Sequence, residues 1–321
     1  MKAIRVTAFG TPPAPADIPD PVPAKGELRV RVAACALNFA DLLMIEGSYQ
    51  DTPEPPFTLG MELAGVVEAI GPDTEGPAIG TRVAAFTGQG GLAEIACVPV
   101  ARCIPLPDAV ALEAAAAFPI AYGTSHLALT RRARLQPGER LVVLGAAGGV
   151  GLTAVELGAA MGAEVVAVAR GPEKLSVAKE AGAHHLIDAR DADLRDAIKS
   201  LGGADVVYDA VGGDGFTAAM RATNPEGRIL VIGFASGEVP RIAANHLLVK
   251  NIDVMGFYWG GYMRVDPTAL RDSLTELAGM IAEGRITPHI GATRPFDRAR
   301  EALELLRSRA VAGKIVVTLD P

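Results

Sequence analysis

The sequence predicts an α/β fold in which a doubly wound parallel sheet is inserted into a β-rich domain. Residues 1–120 are rich in Pro and Gly and contain short runs of strand-forming residues. From Ile120 onward, short apolar strands alternate with helical stretches, as in a parallel sheet with crossover helices. A glycine-rich turn links the first of these strands to the first helix.

Residues 1–120 are expected to form an antiparallel, barrel-like domain. Strand patterns occur at residues 1–10, 28–34, 64–70, 81–86 and 92–98. Two Pro-rich segments, residues 11–23 and 52–56, are expected to be surface loops.

The alternation of apolar and helical stretches after Ile120 predicts six parallel strands with helices between them. The strands are expected at residues 141–146, 164–169, 185–188, 205–211, 228–234 and 253–258. The helices include residues 150–161, 174–181 and 194–200. After Gly260, helices at 267–283 and 298–309 and a strand at 314–319 are expected to complete the first domain. The predicted bounds are therefore 1–120, 121–259 for the parallel sheet, and 260–321 for the return.

Composition and charge exclude several classes of protein. The net charge is −7 and no basic block is present, so no nucleic-acid partner is expected. The three cysteines, Cys35, Cys97 and Cys103, form no CxxC pair and argue against a disulfide framework. No apolar run is long enough to cross a bilayer, and no signal peptide is recognisable. We expect a cytoplasmic protein without membrane contact.

The turn Gly145-Ala146-Ala147-Gly148-Gly149-Val150-Gly151 indicates a nucleotide site. Glycines there let the backbone approach a pyrophosphate, which binds at the helix N-terminus. Ala146 replaces the first glycine of a strict GxGxxG. A purely structural turn is the alternative, but the strand–helix context favours a Rossmann dinucleotide-binding domain with Gly148, Gly149 and Val150 at the phosphates.

The end of the second parallel strand indicates which cofactor binds. NAD sites place an acid there to bind the ribose 2′-hydroxyl, whereas this chain has Arg170 and, four residues on, Lys174. Two cations suit a 2′-phosphate, so NADPH is the expected cofactor. Glu173 opposes this expectation, and an ordinary solvated charge cluster is the alternative.

Together these residues resemble the quinone oxidoreductase (zeta-crystallin-like) branch of the zinc-independent medium-chain dehydrogenase/reductase superfamily. The matching stretches span most of the chain and are residues 60–62, 146–151, 208–213, 227–228 with 232–234, and 313–315. The resemblance implies a GroES-like catalytic domain split around an inserted Rossmann domain, with a cofactor cleft between them. It also implies a homodimer joined through the strand at residues 253–258.

Zinc ligands are missing from the positions where zinc-dependent members of the superfamily carry them. Those members have a Cys shortly before an Asp, and a His in a Gly-His-Glu triplet. Here Asn38 precedes Asp41, and Met61 stands between Gly60 and Glu62. Neither Asn nor Met suits such a zinc site, so no metal is expected.

Asn38 and Tyr49 are the candidate catalytic residues. The resemblance places Asn38 beside the nicotinamide, where it could bind the ribose, the carboxamide or the substrate oxygen; a turn-capping role is the alternative. Asp41 is expected to cap the following helix. Tyr49 matches a tyrosine at the substrate mouth, where it could donate a proton or shape the pocket, and Leu43 replaces a second tyrosine of the family.

The resemblance implies a nicotinamide contact at Thr124, in the helix that enters the Rossmann domain, and helix packing is the alternative. Further cofactor contacts are expected at strand ends. Ligands bind at the carboxyl ends of such strands. The candidates are Val211, Gly233, Phe234, Phe257 and Trp259. Trp259 could wall the pocket or cover a dimer edge.

Two arginines are candidates for the 2′-phosphate. Arg190 replaces a tyrosine of the family after the third strand and could stack on adenine or pair with phosphate. Arg309 matches an arginine that reaches the 2′-phosphate in some relatives. Plain surface charges are the alternative for both.

The expected activity is zinc-independent, NADPH-dependent reduction of a small quinone or a related activated double bond. Hydride attack on such substrates gives a hydroquinone or a delocalised enolate, so hydrogen bonding to the developing oxyanion can replace a metal. Two alternatives stay open: an enoyl-thioester or alkenal reductase, and a non-catalytic NADPH-binding or crystallin-like protein.

Overall fold

The computed structural model describes residues 1–190 and 193–319, and the chain divides into two compact units. The first unit contains Met1–Ile120 and resumes at Arg271; the second is Ala121–Leu270.

The first segment of unit one is dominated by strands. Its elements are β1 (Lys2–Val6), β2 (Ala14–Asp17), β3 (Glu27–Leu37), helix α1 (Phe39–Ile45), β4 (Phe57–Thr58), β5 (Glu62–Ile70), β6 (Arg82–Phe86), β7 (Ile95–Pro99), a 3₁₀ turn (Val100–Arg102), β8 (Cys103–Pro105) and helix α2 (Leu112–Ala117). Helix α3 (Pro119–Leu127) follows and continues into a π-helical turn (Ala128–Arg132).

The prediction of a loop over the whole of residues 11–23 is wrong, because β2 lies inside it. This strand pairs antiparallel with β1, with Lys2 opposite Asp17. It contains Pro15, which cannot donate to a ladder; the strand tolerates it because β2 is an edge strand.

The second unit alternates strands and helices. Its elements are β9 (Arg140–Leu144), α4 (Gly149–Ala160), β10 (Glu164–Ala169), α5 (Pro172–Glu180), β11 (His185–Asp188), α6 (Leu194–Ser200), β12 (Ala204–Asp209), α7 (Gly213–Ala222), β13 (Thr223–Val231), α8 (Ala244–Lys250), β14 (Asp253–Gly256) and α9 (Tyr262–Val265).

The parallel sheet confirms the predicted doubly wound fold. Among the described residues its strand order is β11-β10-β9-β12-β13-β14, and every neighbouring pair is parallel. The chain starts in the centre at β9 and winds outward in both directions, which brings the carboxyl ends of β9 and β12 side by side. Apolar residues fill the sheet because helices cover it; Val142, Val166 and Ile229 are fully buried.

Several strand bounds differ from the predicted ones, among them those of β13 and β14. Strand β13 begins at Thr223 rather than at residue 228. Its early part pairs with Ala204 of β12, and the register shifts between Ala204 and Val206. Strand β14 ends at Gly256, although the next N–H, that of Phe257, still donates to Val231 O at 3.1 Å.

The C-terminal segment returns to the first unit. Helix α10 (Pro267–Ala282) leads to β15 (Ile290–Pro295), a 3₁₀ turn (Phe296–Arg298), α11 (Ala299–Ser308) and β16 (Lys314–Thr318). In the described part of the unit, the main sheet has the order β15-β16-β3-β5-β6-β8, and β7 also pairs with β3. A smaller sheet has the order β2-β1-β4. Across residues 1–190 and 193–319, no helix is long and apolar enough to cross a membrane.

Candidate functional site

A buried ion pair lies at the centre of the candidate site in the first unit. The Lys314 side chain is 3% exposed, and that of Glu62 is fully buried. The Lys314 ammonium donates to Glu62 Oε1 at 2.8 Å, to Asn38 Oδ1 at 2.7 Å and to Leu37 O at 2.8 Å. Asn38 Nδ2 donates to the same Glu62 Oε1 at 2.8 Å. Asn38, Glu62 and Lys314 therefore form one closed polar cluster, which we call the Lys314 cluster.

Sheet register explains why these residues meet. Strand β16 runs antiparallel to β3 with Ile315 opposite Leu37, which brings Lys314 to the end of β3 where Asn38 begins helix α1. Strand β5 pairs with β3 on its other side, with Glu62 opposite Ala36. The second oxygen of Glu62 accepts from the backbone N–H of Ile120 at 2.8 Å. The sheet thus fixes all three side chains.

Asp41 caps helix α1 as predicted. Its Oδ2 accepts from Asn38 N at 2.8 Å, and its Oδ1 accepts from Gly60 N at 3.2 Å. The carboxyl is fully buried, and this burial raises the pKa of Asp41 to about 7, although both hydrogen bonds and Lys314 act in the opposite direction.

The two positions that hold zinc ligands in zinc-dependent members present poor donors here. Asn38 has its Oδ1 bound to the ammonium and its Nδ2 bound to the carboxylate. Met61 is buried in the apolar cluster of this unit. Cys35 is also buried, with its Sγ against the backbone at Gly60. Among the described residues, no group of three or more His, Cys, Asp or Glu side chains could hold a metal.

Tyr49 and Arg309 lie elsewhere in the same unit. Tyr49 is half-buried and packs against the apolar cluster that contains Met44 and Phe57. The guanidinium of Arg309 lies over the ring of Phe39, 5.7 Å from its centroid, and Phe39 directly follows Asn38. The Phe39 ring and the Arg309 guanidinium therefore lie at the start of helix α1.

The glycine turn of the second unit fits a dinucleotide. Gly145 has φ +73°, and a Cβ at Gly151 would lie 2.1 Å from Gly145 O, so the tight turn requires glycine at both positions. A Cβ on the exposed Gly148 would meet only Gly145 O, at 3.3 Å. Gly148 caps helix α4, and the N–H groups of Gly149 and Val150 in its first turn have no partner within the helix. The turn therefore offers open backbone donors to a pyrophosphate.

The predicted cations lie at the end of β10, and an acid lies among them. Arg170 is exposed and Lys174 is half-buried. Arg190 donates from Nε and Nη2 to Asp188, at 3.1 and 2.7 Å, and these bonds lower the pKa of Asp188 to about 2. Asp188 also accepts from Gly171 N at 3.2 Å. Sequence reasoning missed this carboxylate.

The remaining predicted contacts occupy strand ends in the second unit. The N–H of Val211 donates to buried Asp209 at the end of β12, while Gly233 and the exposed Phe234 follow β13. Phe257 is buried after β14. Trp259 is buried with its indole against the backbone of Gly123, where a Cβ would lie 2.8 Å from Nε1. Thr124 is the next residue of α3 and is also buried.

A buried hydroxyl network behind the glycine turn was not predicted. Ser125 Oγ lies 2.7 Å from Thr153 Oγ1 and 2.8 Å from Tyr208 Oη, and it donates to Val150 O at 3.0 Å. It links α3, α4 and β12. Because this network joins residues that are far apart in the chain, no local sequence pattern predicts it.

Comparisons with known proteins agree with this architecture. Residues 24–108 match the family described as alcohol dehydrogenase GroES-like domain, and residues 149–277 match the family described as zinc-binding dehydrogenase. The chain is 39% identical over 297 residues to quinone oxidoreductase-like protein 2 homolog of Nematostella vectensis, covering 91% of this chain and 81% of the relative.

Solved structures are similar over nearly the whole chain. The quinone oxidoreductase of Thermus thermophilus, described together with its NADPH complex, has a TM-score of 0.89 and 36% identity, covering 99% of this chain and all of that one. A mycobacterial protein complexed with NADPH has a TM-score of 0.92 and 30% identity, covering 99% of both chains. The GroES-like domain expected from the resemblance is thereby confirmed.

The raised pKa of Asp41 predicts a pH-dependent stability. In the unfolded chain Asp41 is an ordinary carboxyl with a pKa near 3.8, so the folded state binds the proton more tightly. Proton binding therefore stabilises the folded state at low pH, and this stabilisation is lost as the pH rises through about 7. Between pH 6 and pH 8 the free energy of unfolding should fall by about 1.4 kcal/mol more in the unmodified protein than in Asp41→Asn. Denaturant unfolding of both proteins at the two pH values measures the difference. Equal pH dependence in the two proteins would show that Asp41 is ionised throughout.

Proposed function

The chain belongs to the quinone oxidoreductase branch of the medium-chain dehydrogenase/reductase superfamily, and we propose that it reduces quinones or related activated double bonds with NADPH and without zinc. The observation that carries the proposal is the Lys314 cluster. Where zinc-dependent members hold ligands, this chain has an amide committed to an ion pair and a buried thioether.

The substrate class follows from what Asn38 can offer. A neutral amide stabilises a developing oxyanion by hydrogen bonding, which is weaker than coordination to a metal. Quinones and enones need less help than isolated carbonyls, because their reduction products are aromatic or delocalised. Tyr49, half-buried in the same unit, is proposed to shape the substrate mouth or to donate a proton.

The cofactor proposal is supported by residues of the second unit. When bound, NADPH supplies the hydride. The N–H groups of Gly149 and Val150, with the open face of Gly148, are proposed to hold its pyrophosphate. Arg170 and Lys174 are proposed to bind the 2′-phosphate, with Arg190 or Arg309 as a further cation. The strand-end and α3 contacts are proposed for the nicotinamide side: Thr124, Val211, Gly233, Phe234, Phe257 and Trp259.

Two further properties are proposed with the activity. The described cysteines are all free thiols, which suits the cytoplasm. Strand β14 ends the parallel sheet, and an unpaired edge is suited to pairing with the same strand of a second copy.

The function is tested by NADPH oxidation against a panel of quinones, enones, enoyl-thioesters and saturated aldehydes. Quinones and enones should turn over, and saturated aldehydes should not. Fastest turnover of enoyl-thioesters would favour the alternative reductase. NADPH binding without turnover of any substrate would favour a non-catalytic role.

Purified protein should contain far less than one zinc per chain, because Asn38 and Met61 are poor zinc ligands. Elemental analysis of protein prepared without chelators gives the metal content. Activity should also survive incubation with a chelator. Stoichiometric zinc that is removed together with the activity would contradict the proposal.

Arg170 and Lys174 should give a preference for NADPH over NADH. Two charge-assisted hydrogen bonds contribute about 1.5–3 kcal/mol each, and solvent screens part of this. We expect a preference of roughly ten- to a thousandfold in kcat/KM, which shrinks with added salt. Arg170→Ala/Lys174→Ala should remove most of it and leave the use of NADH nearly unchanged.

The matched control is Lys179→Ala/Lys199→Ala, which removes two exposed cations of the same unit. This control should keep the preference for NADPH. If the unmodified protein uses both cofactors equally at low salt, Arg170 and Lys174 are solvated surface charges.

The protein should sediment as a homodimer at micromolar concentration. Met255→Asp places a charge on β14 and should shift the protein towards the monomer, since a charged edge resists pairing. Val22→Asp, at an exposed position in the other unit, is the control and should remain dimeric. A monomeric unmodified protein would refute the edge-to-edge dimer.

A further inference from the structure

The Lys314 ammonium has no hydrogen left for a ligand. An ammonium carries three donors and no acceptor. Its contacts with Leu37 O, Asn38 Oδ1 and Glu62 Oε1 use all three. Because the side chain is also 3% exposed, Lys314 cannot donate a proton to a substrate and must act through its neighbours.

The ion pair fixes which way the Asn38 amide faces. Lys314 only donates, so the atom beside it must be the amide oxygen; an ionised Glu62 only accepts, so the atom beside it must be the amide nitrogen. A flipped amide would face donor to donor and acceptor to acceptor. Glu62 is itself held in place, because its other oxygen accepts from Ile120 N.

The amide is therefore left with one defined donor. Because Lys314 Nζ and Glu62 Oε1 contact each other as well as Oδ1 and Nδ2, the pair is assigned to the edge of the amide that carries Oδ1 and the N–H beside it. The N–H on the far side of Nδ2 has no partner within this cluster. Asn38 is half-buried, so a ligand can reach it.

We infer that Lys314 is a positioning residue, which holds the Asn38 amide so that this N–H donates to an oxygen of the bound cofactor or substrate. The inference rests on the proposed function for its kinetic readout. It does not need that function for its structural readout, which is the state of the Asn38 amide itself.

The test variant must not leave a buried charge unpaired, because that alone destabilises a protein strongly. Lys314→Met/Glu62→Gln removes both charges and nearly preserves volume. In this variant the Asn38 amide is free to flip, so that its oxygen and nitrogen exchange places. We expect kcat to fall by about tenfold to a hundredfold, since a misplaced group acts on the transition state.

A double-mutant comparison then separates positioning from stability. In an Asn38→Ala background, the paired substitution should change kcat by no more than about twofold, because the residue it positions is gone. Equal falls in both backgrounds, or no fall in either, would overturn the inference. Val30→Ala, a buried substitution elsewhere in this unit, is the control for lost stability and should leave kcat unchanged. If the paired variant does not fold, Lys314→Arg is compared in the same two backgrounds, since it keeps the charge but changes the geometry of the donors. A fall in kcat that disappears in the Asn38→Ala background is expected, and equal falls in both backgrounds, or no fall in either, would overturn the inference.

Selective ¹⁵N labelling supplies the readout that is independent of turnover. The chain has asparagines only at positions 38, 224, 245 and 251, and loss of one side-chain signal in Asn38→Ala assigns that residue. In the unmodified protein the Asn38 amide proton that is bonded to Glu62 should exchange more slowly than the other one, and in the paired variant both should exchange rapidly. Rapid exchange of both protons in the unmodified protein would refute the inference even if the enzyme is active. Protected protons without turnover of any panel substrate would refute the proposed function alone.

Discussion

The buried Lys314–Glu62 pair is the constraint on which the first unit depends. It joins β16 to β5 across β3 and holds the start of α1 through Asn38. Two charges removed from water are tolerated only when their polar atoms have partners, and here the ammonium and both carboxylate oxygens do. Breaking this arrangement would cost more free energy than losing a helix cap, which is worth only about 1 kcal/mol. The ion pair therefore fixes the position of Asn38 more firmly than a capping role would.

The proposed 2′-phosphate site in the second unit depends on a different electrostatic balance. Asp188 takes up two donors of Arg190 and the backbone N–H of Gly171. With its pKa near 2, this carboxylate is charged at any working pH, so Arg190 adds little net positive charge. In the proposed NADPH site, recognition of the 2′-phosphate is therefore assigned mainly to Arg170, just before α5, and Lys174, in its first turn.

Periodicity and glycine spacing predicted most of the fold, and the reasons lie in the residues. The central strands of the parallel sheet are mainly apolar because both faces are covered, and the tight turn permits only glycine at Gly145 and Gly151. Strand β2 was missed because Pro15 masks an edge strand. Asn38 was found through a family position, but its partner was not: Lys314 and Glu62 lie 252 residues apart, and only the completed sheet brings them together. The same holds for Ser125 and Tyr208. Local patterns identify elements, whereas contacts between distant elements determine what a side chain can do.

The magnitude of one hydrogen bond limits the chemistry of such a site. Removing a single oxyanion donor from an enzyme costs about 2.7–4 kcal/mol, and a neutral amide can supply stabilisation of that order only when it is held rigidly. A metal ion polarises a carbonyl without this requirement. An amide held by a buried ion pair therefore suits substrates whose product anion is already delocalised, because the site has to supply little further stabilisation of that anion. The inferred rigidity of Asn38 and the proposed choice of an activated double bond as substrate follow from the same energetic limit.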